Sequence, residues 1–207
     1  MCIRDSIRNY RLPLSVCQLI FDQLLPSVES GEYVFNQLPD EKLFRIFERF
    51  LFNFYKRHLA KTDYSYIKKE GLTWQDVSFE EGLDDLLPSM ETDICLSNET
   101  SRLIIECKFY ESALQSRKLS GLETTGKFIS GHVYQLYAYL KNLEIKHQSK
   151  TAGMILYPEN GKKISSLYKL QGHDVLIKTI NLAMDSIEIE KDLIDSLIHF
   201  ESSRMFA

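Results

Sequence analysis

A chain of 207 residues is long enough for one domain with a sizeable core, and 44% hydrophobic against 26% charged residues is ordinary for a globular protein. The net charge of −4 excludes a globally basic nucleic-acid binder, and no apolar run approaches a membrane span, so no membrane partner is expected. Charge is unevenly placed: residues 70–106 carry ten acids and one base, and residues 107–173 carry ten bases and four acids. That suits an acidic centre beside a basic surface. The four cysteines, Cys2, Cys17, Cys95 and Cys107, have no metal-site spacing. With no secretory segment they read as reduced, buried thiols of a cytoplasmic protein.

The opening MCIRDS fits neither a signal peptide nor the pattern that follows, so residues 1–7 are set aside as a candidate scar. Leu12, Val16, Leu19, Ile20 and Leu24 predict a short helix over 12–27, followed by a connection with an extended piece. Pro39, Asp40 and Glu41 open the strongest helix signal, with a stripe of Leu43, Phe47, Phe50, Leu51, Phe54 and His58 and basic residues at its end. Residues 63–79 predict a strand or strand pair, YSYIKK and LTWQDVSF, and EEGLDDLLPSM an acidic loop. ETDICLS and RLIIECKFY are strands joined by the turn NETS. SALQSRKLSGLETTGKFISG reads as a long polar surface loop. HVYQLYAYLKNLEIK is a second helix, with Val133, Leu136, Tyr137 and Leu140 on its buried side. TAGMILYP and HDVLIKTINL are strands, and residues 187–200 an amphipathic helix. The fold class is α/β, a mixed sheet flanked by helices. Residues 1–38 form an N-terminal helical segment and 39–207 the main domain.

The strand LIIECK ends in Glu106 and Lys108, two apart and so on one face. With the turn at Glu99 and Thr100, Ile94 faces Ile105, Leu96 faces Leu103, and Asp93 faces Glu106. Two carboxylates roughly 5 Å apart at Cβ repel unless a hard divalent cation joins them. Lys108 beside such a pair suits metal-assisted phosphodiester hydrolysis, with Mg²⁺ as the cofactor and the Cys107 backbone carbonyl as a further ligand. Glu48 borders the stripe of the helix opened by Pro39 and is within reach of a site at the sheet edge, though taken alone it reads first as a flank glutamate paired with Arg45 or Arg49. Gln135 and Tyr139 are i, i+4 on the second helix, with His132 close to their face.

A helix with Glu, a strand with Asp, a strand with Glu-x-Lys and a helix with Gln-x-x-x-Tyr resemble the PD-(D/E)xK nuclease superfamily. RNYRLPLSVCQLIFDQLLPS, LFRIFERFLFNFYKRHL, METDICL, LIIECKFY, SGHVYQLYAYLKN and AGMILYP together are similar to McrC, the nuclease subunits of modified-cytosine restriction systems. The resemblance implies a PD-(D/E)xK restriction-endonuclease-like core cutting double-stranded DNA. It also implies an AAA+ GTPase partner, McrB-like, which binds the GTP and reads the modified DNA. It places the metal-binding aspartate on Asp93, the second acidic ligand on Glu106, the catalytic lysine on Lys108, the helix glutamate on Glu48, and the Gln-x-x-x-Tyr element on Gln135 and Tyr139. Glu106 departs from McrC, where Asp is usual. McrC proteins also carry a substantial region ahead of this core, so residues 1–38 are expected to be the remnant of a longer one.

Phosphate contacts are expected from the basic middle: Arg117, Lys118 and Lys127 in the polar loop, and Lys141, Lys146 and Lys150 near the second helix. Two other functions stay open: a non-catalytic adaptor that stimulates the GTPase, and a GTP-independent DNA-repair nuclease of the same superfamily.

Overall fold

The computed structural model describes residues 40–75, 78, 86–110, 113–115, 118–119, 122–123 and 126–202. The helix expected over 12–27 and most of the acidic loop lie outside them. The first helix, α1 (Asp40–His58), buries the whole expected stripe, with Leu51 and the adjoining Tyr55 fully enclosed. Among the described residues, no helix is long and apolar enough to cross a membrane.

Strands β1 (Tyr66–Lys68), β4 (Ile94–Ser97), β5 (Ser101–Cys107), β10 (Lys150–Pro158), β11 (Ser165–Leu170) and β12 (His173–Ile180) make a mixed sheet in the order β1-β4-β5-β10-β12-β11. Its centre, β5-β10-β12, is parallel; β1, β4 and β11 pair antiparallel. The β4–β5 register is the expected one, Ile94 on Ile105 and Leu96 on Leu103. The Asn98 side chain closes that turn, accepting from the backbone N–H of Thr100 and Ser101. Short strands β2 (Gly71–Leu72) and β3 (Met90–Glu91) form a separate pair, so the strand expected through LTWQDVSF stops at Leu72.

Alternation along β5 divides the core in two. Leu103, Ile105 and Cys107 pack with α1 and the last helix, α3 (Ser186–Ser202). Ile104 joins Leu136, Tyr139, Leu140 and Leu143 of α2 (Ser130–His147) on the other face. The result is three layers, helices on both faces of one sheet. Tyr139 is buried in α2, whereas Tyr137, expected inside, is part-exposed and donates its hydroxyl to Gln171. Asp185 caps α3, accepting from the N–H groups of Ile187 and Glu188.

No expected element covers β11. Gln171 (φ 45°) and Gly172 (φ 96°) turn it onto β12 in left-handed backbone, where Gly is unstrained. The expected polar loop is also corrected. Within it, β6 (Leu114–Gln115) pairs β9 (Lys127–Phe128), and β7 (Lys118–Leu119) pairs β8 (Leu122–Glu123) inside them. This narrow ribbon is rooted by Phe128, edge-on to Tyr168 of β11 at 6.0 Å.

Gly153 sets how closely α2 approaches the sheet. A Cβ there would meet Leu136 Cδ2 at 2.8 Å, and Leu136 is itself buried. Gly153→Ala is therefore expected to destabilise the protein by about 1–3 kcal/mol through overpacking. The measurement is the urea midpoint at constant slope, and an unchanged midpoint would show that Leu136 has room to move.

Candidate active site

The parallel strands deliver the candidate residues to one end of the sheet. Glu106 is the penultimate residue of β5 and 1% exposed. Lys108 follows the strand, and its backbone N–H donates to Leu156 O at 2.9 Å, which continues the ladder with β10 and fixes the side-chain direction. Lys108 Nζ donates to Glu106 Oε1 at 2.8 Å and to Gln135 Oε1 at 2.9 Å. Gln135 Nε2 in turn donates to the Tyr139 hydroxyl at 2.8 Å. The i, i+4 pair on α2 thus reaches across the layer and grips the lysine.

Asp93 precedes β4, one residue beyond the last ladder pair, Ile94 with Ile105, and is close enough for its charge to act on Glu106. Its Oδ2 accepts from the Cys107 N–H at 2.8 Å. The Cys107 thiol points the other way, into the core shared with α1. Glu106 Oε2 is buried with no hydrogen-bond partner. A buried acceptor of that kind costs stability unless something absent from the chain satisfies it.

Electrostatics point the same way. Burial, the largest influence, pushes Asp93 up to about 6, with repulsion from Glu48 adding to it against the Cys107 N–H, Lys108 and Lys69. Burial and the charge of Asp93 push Glu106 up to about 7, although Lys108 pulls it down by charge and hydrogen bond. His132, behind the lysine, shares a hydrogen bond between Nδ1 and the Tyr157 hydroxyl at 2.8 Å and packs on Tyr110 at 4.6 Å. Burial and then the charge of Lys108 lower it to about 4, so at neutral pH its imidazole is uncharged.

Glu48 approaches from α1, on the opposite face of the sheet, and is buried. The sequence left Arg45 or Arg49 as its partner; its ion-pair partner is Lys69, just past β1. Among the described residues, no three His, Cys, Asp or Glu side chains close into a ready-made metal cage. The donor set is an open one: two neighbouring carboxylates, one with an unsatisfied oxygen. Magnesium suits this arrangement, since it binds through one or two carboxylates and keeps water or phosphate on its other positions.

The basic residues expected to touch phosphate are scattered. Arg117 lies outside the described residues. Lys118 and Lys127 are in the ribbon, Lys127 exposed and opposite Gln115. Lys141 pairs with Glu144, and Lys146 with the buried Glu70. Lys150 starts β10 beside Ser101, at the far end of β5 from Glu106. The sequence reading overlooked Lys69; the only sign was a Lys-Lys-Glu run closing the first strand.

No family model matches the chain. It is 31% identical over 194 residues to the Type IV methyl-directed restriction enzyme EcoKMcrBC of Escherichia coli (strain K12), an alignment covering 92% of this chain and 53% of that protein. The chain spans about half the length of that curated relative. The alignment bears out the likeness to McrC carried by the six segments.

Proposed function

We propose that this McrC-like chain is the cleavage subunit of a restriction complex, hydrolysing phosphodiester bonds of modified-cytosine DNA with the help of an AAA+ GTPase partner. The carrying observation is the set at the end of β5: Asp93 on the Cys107 N–H and near Glu106, whose second oxygen is unsatisfied, with Lys108 held between Glu106 and Gln135. Asp93 and Glu106 would hold Mg²⁺, with the Cys107 carbonyl and Glu48 as further oxygen donors. Magnesium supplies Lewis acidity and positive charge at a phosphoryl oxygen.

The chain's own part is positioning and charge. An ammonium has three N–H donors, and two of those on Lys108 are committed to Glu106 and Gln135. The third is left to donate to a phosphate oxygen, where negative charge grows in the transition state. Tyr139 orients Gln135, Gln135 orients Lys108, and the neutral His132 adds no competing cation. The choice of modified base is left to the partner. The name of the relative, a methyl-directed enzyme, supports that assignment of substrate.

The test combines the full chain, its GTPase partner, GTP, methylated duplex DNA and Mg²⁺. Cleavage that stops on chelation supports the proposal. GTPase stimulation without cleavage would make the chain an adaptor, and cleavage by the chain alone without GTP would make it a repair-type nuclease. In the same assay Gln135→Ala should lower the single-turnover rate about 10- to 100-fold, as loss of a supporting hydrogen bond does at metal sites. DNA affinity should change far less. An equal loss of affinity would make Gln135 a binding residue instead.

A further inference from the structure

A cleft of about 800 Å³ runs along α1, lined by Arg45, Glu48, Arg49, Phe52, Asn53 and Lys69. Its helical lining is one continuous face: residues 45, 48, 49, 52 and 53 recur at i, i+3 and i+4. The charges are ordered by depth. Glu48 is buried, while Arg45 and Arg49 stand exposed above it, one turn apart. Lys69 closes the other side and is tied to Glu48. Among the residues whose side chains are described, no carboxylate is paired with Arg45 or Arg49. The lining thus holds three cations and one acid, Glu48, which is paired with Lys69.

The cleft lies close enough to the candidate active site for its charges to be felt there. The charge of Glu48 acts on both Asp93 and Glu106, and Asp93 is among the charges that act on Lys69. A polyanion lying in the cleft would meet Arg45 and Arg49 at its rim and Lys69, whose charge acts on Asp93, at its side.

We infer that the α1 cleft holds the DNA strand next to the bond that is cut, with Arg45 and Arg49 on backbone phosphates and Lys69 on the phosphate nearest the carboxylates. This rests on the nuclease reading and adds a binding surface on the α1 side of the sheet, away from the ribbon and α2. Arginine forks onto phosphate oxygens, and paired one turn apart they fix position without reading sequence.

The experiment is a salt titration of binding by the full chain to fluorescent duplex DNA, with calcium replacing magnesium so that nothing is cut. For Arg45→Gln with Arg49→Gln, affinity should fall at least about tenfold for every sequence tried, and the slope of log affinity against log salt should shrink by roughly two, about one per phosphate contact. Arg45→Lys with Arg49→Lys should recover most of the slope. Lys169→Gln, on the opposite edge strand, should change neither quantity. Equal affinity and slope in wild type and the double glutamine variant, with matching melting curves, would overturn the inference. So would lost binding of the GTPase partner with DNA affinity intact, because the cleft would then seat an acidic protein surface. The binding titration involves no cleavage, so a chain that fails to cut with partner, GTP and Mg²⁺ sinks the nuclease reading separately.

Discussion

Replacing Lys108 with alanine will lower DNA cleavage about 100- to 1,000-fold, the usual loss when one preorganised donor to a developing negative charge is removed. Lys108 is 8% exposed and makes two side-chain hydrogen bonds, one to Glu106 and one to Gln135. Its loss removes the transition-state donor and also leaves Glu106 without its counter-charge. Glu106 then titrates higher still, so the residual activity should need a more alkaline pH than wild type. Single-turnover cleavage across a pH series measures both effects. A variant that cuts as fast as wild type would mean Lys108 is a structural ion-pair partner and no more. Lys108→Arg separates charge from fit: the planar guanidinium keeps the charge but misplaces its donors, so only a small part of the rate should return.

Glu106→Gln is expected to stabilise the metal-free protein at pH 8 while abolishing cleavage. In the folded chain Glu106 titrates at about 7, against an ordinary value of 4.5, and Asp93 at about 6, against 3.8. The folded state therefore holds protons that the unfolded state has released. Stability is full below about pH 4 and falls as pH rises toward 7. For Glu106 the shift corresponds to about 3 kcal/mol at alkaline pH. That shift already includes the attraction of Lys108, so Glu106→Gln is expected to gain stability on the order of 1–3 kcal/mol at pH 8. Thermal melts in EDTA should show wild type losing stability between pH 4 and 7 and Glu106→Gln losing less. Millimolar Mg²⁺ should raise the wild-type melting temperature at pH 8, because a ligand that binds only the folded state stabilises it. Glu106→Gln should respond far less. A wild-type melt that rises with pH over this window would contradict the account of a strained carboxylate pair.

Such a site costs stability to keep, and that cost explains what the sequence could reveal. The β4–β5 register was legible because it rests on two apolar pairs, Ile94 with Ile105 and Leu96 with Leu103, and a one-residue slip would turn every side chain over. The Glu-x-Lys spacing was legible for the same period-two reason. The grip of Gln135 on Lys108 was only half legible: helix spacing put Gln135 with Tyr139, but which helix face met the sheet depended on Leu136 seating over Gly153. The same ambiguity put Tyr137 on the wrong side. β11 escaped notice because Ser165, Leu167, Tyr168 and Lys169 are exposed on an edge strand, where burial imposes no pattern. The pairs β6–β9 and β7–β8 escaped because each of their strands is two residues long. Lys69 with Glu48 was invisible, because it joins a sheet edge to a helix from the other layer and no local period records that.

The open donor set also accounts for the absence of a closed cage among the described residues. Structural metals are held by full sets of side chains, whereas a magnesium that must meet substrate keeps positions free. The unsatisfied Glu106 oxygen, the neutral His132 behind the lysine and the cation-rimmed cleft along α1 all fit a site that is completed by metal and phosphate together.

The most direct test is a crystal structure of the chain soaked in Mn²⁺ at pH 8, read by anomalous difference density. The account predicts a peak bonded to both Asp93 and the now partnerless oxygen of Glu106, and no peak there in Glu106→Gln crystals. A wild-type map with Mn²⁺ bound elsewhere and nothing between those two carboxylates would contradict it.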